Sequence, residues 1–149
     1  MAHVNISKEY PAPYEAQLAF DKSCEEAAEA AGLPKILAEL VKIRVSQLNG
    51  CAFCLRMHTR DAVAAGETAD RLAVLPAWWE SQYFTVEEQA ALTIAERVTR
   101  LGEEHTAPAS TVDVEAALTA PQIAAVTWLA VVINGWNRIA VASHYPVAP

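Results

Sequence analysis

Residues 34–66 read PKILAELVKIRVSQLNGCAFCLRMHTRDAVAAG, enough chain for two helices divided by Asn49-Gly50. In the first half, Leu37, Leu40, Val41, Val45 and Leu48 recur at spacings of three and four. That pattern lays an apolar stripe along a helix from about Pro34 to Leu48. Glu39, Ile43, Ser46 and Gly50 form a neighbouring row. Asn49 and Gly50 both tolerate the left-handed conformation, so the helix breaks there. The next helix starts at about Cys51 and ends near Gly66. It carries Cys51, Cys54 and His58, which fall within ~60° of one another at 3.6 residues per turn.

The flanking chain is helical too. Gly32 ends a first helix, about Tyr14 to Ala31, whose entry is bracketed by Pro11 and Pro13. Residues 1–12 have too few apolar side chains to fold alone and read as an arm laid on another surface. A short helix from about Thr68 to Leu75 is stopped by Pro76, and a loop follows with Trp78, Trp79, Tyr83 and Phe84. Thr85 and Glu88 make a capping box that opens a helix from Val86 to about Leu101. Residues 102–110 read as loop, and Val112 to Leu118 as a short helix. Thr119 and Gln122 make a second capping box, opening the last long helix to about Ser143, and Pro146 ends the order. No run has strand period and no repeat is visible. The expectation is an all-α single-domain helical bundle over 13–149, preceded by an arm over 1–12.

Composition narrows the function classes. The chain has 149 residues, of which 53% are hydrophobic, enough for one domain with a real core. Eleven basic and 18 acidic residues give a net charge of −7, which argues against nucleic acid as a partner. Lys42, Arg44, Arg56 and Arg60 lie scattered among acidic and apolar residues. The start, MAHVNISKEY, has no apolar core of a secretory signal. The apolar run from Ile123 to Ile133 is about half the ~20 residues of a membrane span and reads as a buried core helix. The expected location is the cytoplasm, with no membrane partner. Three cysteines do not make a disulfide framework, and a C-x-x-C in such a chain points to redox or metal chemistry.

Two thiols and an imidazole on one helix face can cycle between dithiol and disulfide with a base beside them. Glu39 could orient His58 and carry its proton onward if the two helices fold back on each other at Asn49-Gly50. The roles of the cysteines stay open on physical grounds. The helix N-terminus favours Cys51 as the more acidic thiol, whereas the base at helical spacing favours Cys54. Plainer readings exist for each residue. Glu39 has Lys35 at i−4 and Lys42 at i+3, which suits a solvated ion pair. Cys51 and Cys54 could be buried small hydrophobes, and a single histidine is more often structural. Cys24, with no cysteine or histidine at helical spacing, reads as an inert or surface thiol. A zinc site needs four ligands, and Cys51, Cys54 and His58 supply three, with only a partner chain able to add another. No metal and no cofactor is expected.

Glu39, eleven intervening residues, then Cys51-x-x-Cys54-x-x-x-His58 resembles the signature of AhpD-like alkylhydroperoxidases in the carboxymuconolactone decarboxylase-like superfamily. Arg44 and Ser46 before Gly50-Cys51, and Ala62 and Gly66 after the motif, are similar to the family as well. So are the stretches Trp79…Phe84-Thr85…Glu88…Ala91-Leu92 and Asn134-Gly135-Trp136-Asn137-Arg138-Ile139-Ala140. The resemblance implies an AhpD-like helical fold and thiol-dependent reduction of hydroperoxides or disulfides. It also implies a dithiol reductant of unknown identity and a dimer-based homo-oligomer, commonly a trimer or hexamer. By that resemblance Cys54 is the peroxidatic cysteine, Cys51 the resolving one, and Glu39 and His58 the proton relay. Phe53 stands where the best-known members have a histidine, and a phenyl ring carries no proton, which weakens the relay.

Two other classes stand beside the peroxidase. One is a decarboxylase or lactone-processing enzyme on the same fold, which should not need both thiols. The other is a non-enzymatic redox-sensing scaffold, which would oxidise reversibly without multiple turnover.

Overall fold

A computed structural model describes residues 3–103 and 112–149. Eight α-helices occur among them and no strand. They are α1 (Ile6–Glu9), α2 (Pro11–Ala30), α3 (Lys35–Asn49), α4 (Ala52–Ala64), α5 (Ala69–Val74), α6 (Val86–Thr99), α7 (Val114–Ala117) and α8 (Ala120–Ala142). A 3-10 helix spans Leu75–Glu80. The architecture is the all-α, AhpD-like bundle. Most of the loop expected over 102–110 lies outside the described residues.

Helix α3 is the centre of the bundle. It packs on α4, α6 and α8, while α8 also packs on α2 and α6. Every residue from Leu37 to Ser46 is buried, so α3 has no solvent face over nearly three turns. One side joins Val41 and Val45 to Cys24, Ala90, Ala91, Val126, Leu129 and Ile133. The other joins Leu40 and Ile43 to Leu75, Trp78, Phe84 and Leu92. The apolar stripe is thus only part of what α3 buries. Three of its four charged residues, Glu39, Lys42 and Arg44, are inside as well and have to be paired, while Lys35 stays exposed. Arg44 donates through Nε to Glu96 Oε1 at 2.8 Å, and Trp78 Nε1 donates to the same oxygen at 2.8 Å. Glu39 and Lys42 meet each other and further partners at the candidate site.

Local chemistry explains the helix ends. Gly50 has φ 65°, and the N–H groups of Gly50 and Cys51 turn back onto the carbonyls of Gln47 and Ser46, which ends α3. The chain then reverses into α4. Both capping boxes are formed, Thr85 with Glu88 and Thr119 with Gln122. Gly135 lets α2 approach α8: a Cβ there would lie 2.7 Å from the Gln17 amide nitrogen, which donates to the Val132 carbonyl. Helix α8 is long and apolar enough to cross a membrane by length and composition, yet it serves as the core helix of this bundle.

The structure adds detail at both ends of the chain. The first helix begins at Pro11, and a one-turn helix, Ile6–Glu9, precedes it, capped by Asn5. The tryptophan segment is the 3-10 helix, with Trp78 inside the core and Trp79 at its edge.

Candidate active site

The helix reversal brings Glu39 of α3 onto His58 of α4. Glu39 Oε2 lies 2.9 Å from His58 Nδ1. Its other oxygen, Oε1, accepts from Lys42 Nζ at 3.4 Å, and Lys42 also donates to Glu25 of α2. All three central groups are buried, so the pair is no solvated ion pair. Burial alone would raise the Glu39 pKa, but the His58 hydrogen bond and the Lys42 charge outweigh it and hold the carboxyl below its ordinary value. Burial would likewise lower Lys42. The charges of Glu39, Glu25 and Asp21, with the Glu25 hydrogen bond, push it above its ordinary value instead. Glu39 is therefore an ionised acceptor, and Nδ1 is the donor. A neutral ring in that orientation carries its lone pair on Nε2. Nε2 is buried and has no hydrogen-bond partner.

The two thiols stand at the start of α4. Cys51 is its N-cap, and Cys51 Sγ accepts the Cys54 backbone N–H at 3.3 Å. The cysteines are 1% and 2% exposed, and both are free thiols. Burial first, then the hydrogen bond with Cys51, pushes the Cys54 thiol up to about 12, while the Asn137 side chain and the Cys54 N–H act the other way. At rest Cys54 holds its proton and needs a base. His58 lies one turn on, but no hydrogen bond joins it to either sulfur. The structure thus brings together Glu39 with His58 and Cys51 with Cys54, and leaves the link between the pairs unmade.

Sequence reasoning passed over Asn137 as a site residue. Its side chain donates through Nδ2 to Ser46 Oγ at 3.0 Å, accepts from Asn49 Nδ2 at 2.9 Å and acts to lower the Cys54 thiol's pKa. Ser46 Oγ in turn donates to the Lys42 carbonyl at 2.8 Å. The signal was present: Asn134 and Asn137 are amides at i,i+3 on a helix that is otherwise nearly all apolar. A cavity of about 410 Å³ opens beside this network, lined by Asn49, Asn137, Arg138, Val141 and Ala142.

Cys24 lies apart. It is buried, and burial, with Asp21 and Glu25 nearby, pushes its thiol up to about 11. It is an inert thiol rather than a surface one. Glu39, His58 and Asp61 bring ligand atoms within 4.8 Å of one another. The Lys42 ammonium on Glu39 makes that a poor cation site.

Residues 14–97 match the sequence model of the carboxymuconolactone decarboxylase family. The chain belongs to this family. Among its relatives is the uncharacterized protein YdfG of Bacillus subtilis (strain 168), 37% identical over 118 residues, which is 79% of this chain and 80% of that one. A similar solved structure is a protein of unknown function from Agrobacterium tumefaciens, provisionally described as the antioxidant defence protein AhpD. It is 29% identical, has a TM-score of 0.83, and the match covers 99% of this chain and 100% of that chain. Within this family frame, α3 and α4 carry the glutamate, the cysteine pair and the histidine.

Proposed function

We propose that this member of the carboxymuconolactone decarboxylase family is a thiol-dependent peroxidase, with an antioxidant role, that reduces hydroperoxides through Cys51 and Cys54. The observation that carries the reading is His58 Nε2, buried and without a hydrogen-bond partner, one helical turn from a protonated Cys54. Glu39, ionised and fixed by Lys42, holds the ring in the tautomer that can accept a proton.

Cys54 gives its proton to His58 Nε2 after a small rotation or through one water, and the thiolate attacks the terminal peroxide oxygen. The O–O bond breaks, the alkoxide leaves with a proton from the His58–Glu39 pair, and Cys54 becomes a sulfenic acid. Cys51, one hydrogen bond away, attacks that sulfur and expels water. An external dithiol reduces the Cys51–Cys54 disulfide and is itself oxidised. The roles of Cys54 and Cys51 follow the family resemblance. The N–H that Cys51 receives is the physical argument for the reverse order.

The peroxide and the dithiol are unnamed partners. The arm over 1–12, the helical domain over 13–149, a dimer-based homo-oligomer and a cytoplasmic location belong to the same proposal. A decarboxylase or lactone-processing reaction would leave the two adjacent thiols without a task. The test is peroxide consumption coupled to several dithiol reductants. Turnover that disappears in Cys54→Ser supports the peroxidase. Reversible oxidation of the pair without turnover supports a redox sensor instead.

A further inference from the structure

The two ends of the chain meet over the cysteine helix. Ser7 Oγ is 2.8 Å from Tyr145 Oη, and the Ile6 N–H donates to Ser143 Oγ at 3.3 Å. The His3 and His144 rings lie 3.5 Å apart, and the Arg56 guanidinium of α4 donates to the Ala148 carbonyl. The turn that brings the tail back is at His144, a non-glycine residue in the left-handed region with φ 51°. Tyr145 seats on Phe53, the residue between the two cysteines, with ring centroids 5.1 Å apart and planes at 78°. Phe53 and Tyr145 both pack on the core cluster that contains Cys51 and Cys54.

This cover is lightly held. Helix α1 has no buried residue, and the Ser7–Tyr145 bond is only partly buried. Side-chain rings with few backbone bonds open at low cost compared with core helices. The thiols beneath are closed to solvent, yet the two half-reactions need different access. A small peroxide needs only a narrow, transient opening in the packing. A protein dithiol does not fit through one. Its thiolate must reach a sulfur directly, form a mixed disulfide and release the other cysteine, before its second thiol closes its own disulfide.

We propose that Tyr145, held by Ser7 and seated on Phe53, is a positioning residue that governs access of a protein dithiol to the Cys51–Cys54 pair, whereas small molecules need no such opening. The inference rests on the reading that this pair is the reactive one. It assigns the arm and tail a role in selecting the reductant, with Phe53 as the ring on which Tyr145 seats.

The experiment measures access rather than peroxidase activity, so the two readings fail separately. The full chain is oxidised with diamide, and reduction of the pair is followed with reduced thioredoxin and with dithiothreitol. Tyr145→Phe and Ser7→Ala each remove the linking hydrogen bond and leave the rings in place. Each should speed reduction by thioredoxin about fivefold, the factor set by one ordinary hydrogen bond, and leave the dithiothreitol rate unchanged. On the reduced protein, labelling of Cys51 and Cys54 by a bulky maleimide should rise in the same way against iodoacetamide, with Cys24 labelling constant. Equal rates in variants and native protein overturn the proposal. So does an equal rise with both reagents or a rise at Cys24, which would mean general loosening.

Discussion

Glu39 Oε2 and His58 Nδ1 lie 2.9 Å apart across the α3–α4 reversal, inside the protein and 19 positions apart in sequence. The contact orients the ring and leaves Nε2 buried, without a hydrogen-bond partner, one helical turn from Cys54. Glu39→Gln keeps the shape but lets the amide bond either ring nitrogen state, and His58→Phe removes the base. Both variants should stay folded, with single-turnover peroxide reduction slower by about 10²–10⁴-fold, the range for positioned acid–base groups. Stopped-flow kinetics beside a circular dichroism melt checks both halves of this expectation.

The same carboxylate makes a prediction about pH. The folded-state pKa of Glu39 lies below its ordinary value of 4.5. Its contribution to stability is therefore fully present above that value and is lost as pH falls through the lowered folded one. Lys42 is the mirror case, raised above 10.5, so its contribution is lost only as pH rises through the folded value. The stability that the Glu39 carboxylate adds over Glu39→Gln should be present above pH 4.5 and shrink as pH falls below it. Urea titrations across that range measure it. A difference that grows as pH falls below 4.5 would contradict the ionised, paired carboxylate.

Mild oxidation should join Cys51 to Cys54 and leave Cys24 a free thiol. The pair shares a hydrogen bond, whereas Cys24 is buried on α2 with its thiol pushed up to about 11. Cys24 should resist alkylation at pH 8 in the folded protein and react after unfolding. Peptide mapping that places Cys24 in the dominant disulfide would refute the arrangement.

Helix α8 buries Val126, Leu129, Ala130 and Ile133 but leaves Trp128 51% and Val131 38% exposed, with Leu18 of α2 also exposed. A large indole at a half-open position beside other apolar side chains suits a subunit contact. Light scattering should give a particle larger than 16 kDa at micromolar concentration, and Trp128→Glu should shift it toward the monomer. A native 16 kDa particle would contradict the homo-oligomer.

Much of the fold is readable from local signals. The Asn49-Gly50 break, both capping boxes and the core character of α8 depend on neighbouring residues alone. The all-round burial of α3 is different. Glu39, Lys42 and Arg44 look like the polar face of an amphipathic helix, because their partners lie elsewhere in the chain: His58 for Glu39, Glu25 for Lys42 and Glu96 for Arg44. Trp78 shows the same limit, since its burial is tied to Glu96 rather than to anything beside it. At the site, the C-x-x-C and His58 are visible by spacing. Asn137 joins Ser46 and Asn49 only because α8 crosses α3, and the cover by Tyr145 depends on the meeting of segments far apart in the chain.

The central claim is that Cys54 attacks peroxide and Cys51 resolves, and single-turnover reduction of one equivalent of peroxide by each cysteine variant tests it most directly. Cys51→Ser should still consume the peroxide once and trap Cys54 as a sulfenic acid or mixed disulfide, without an efficient cycle on a dithiol reductant. Cys54→Ser should consume none. If Cys54→Ser keeps the first oxidation and Cys51→Ser loses it, the roles are reversed, and the N–H donated to Cys51 at the start of α4 selects the attacking thiol.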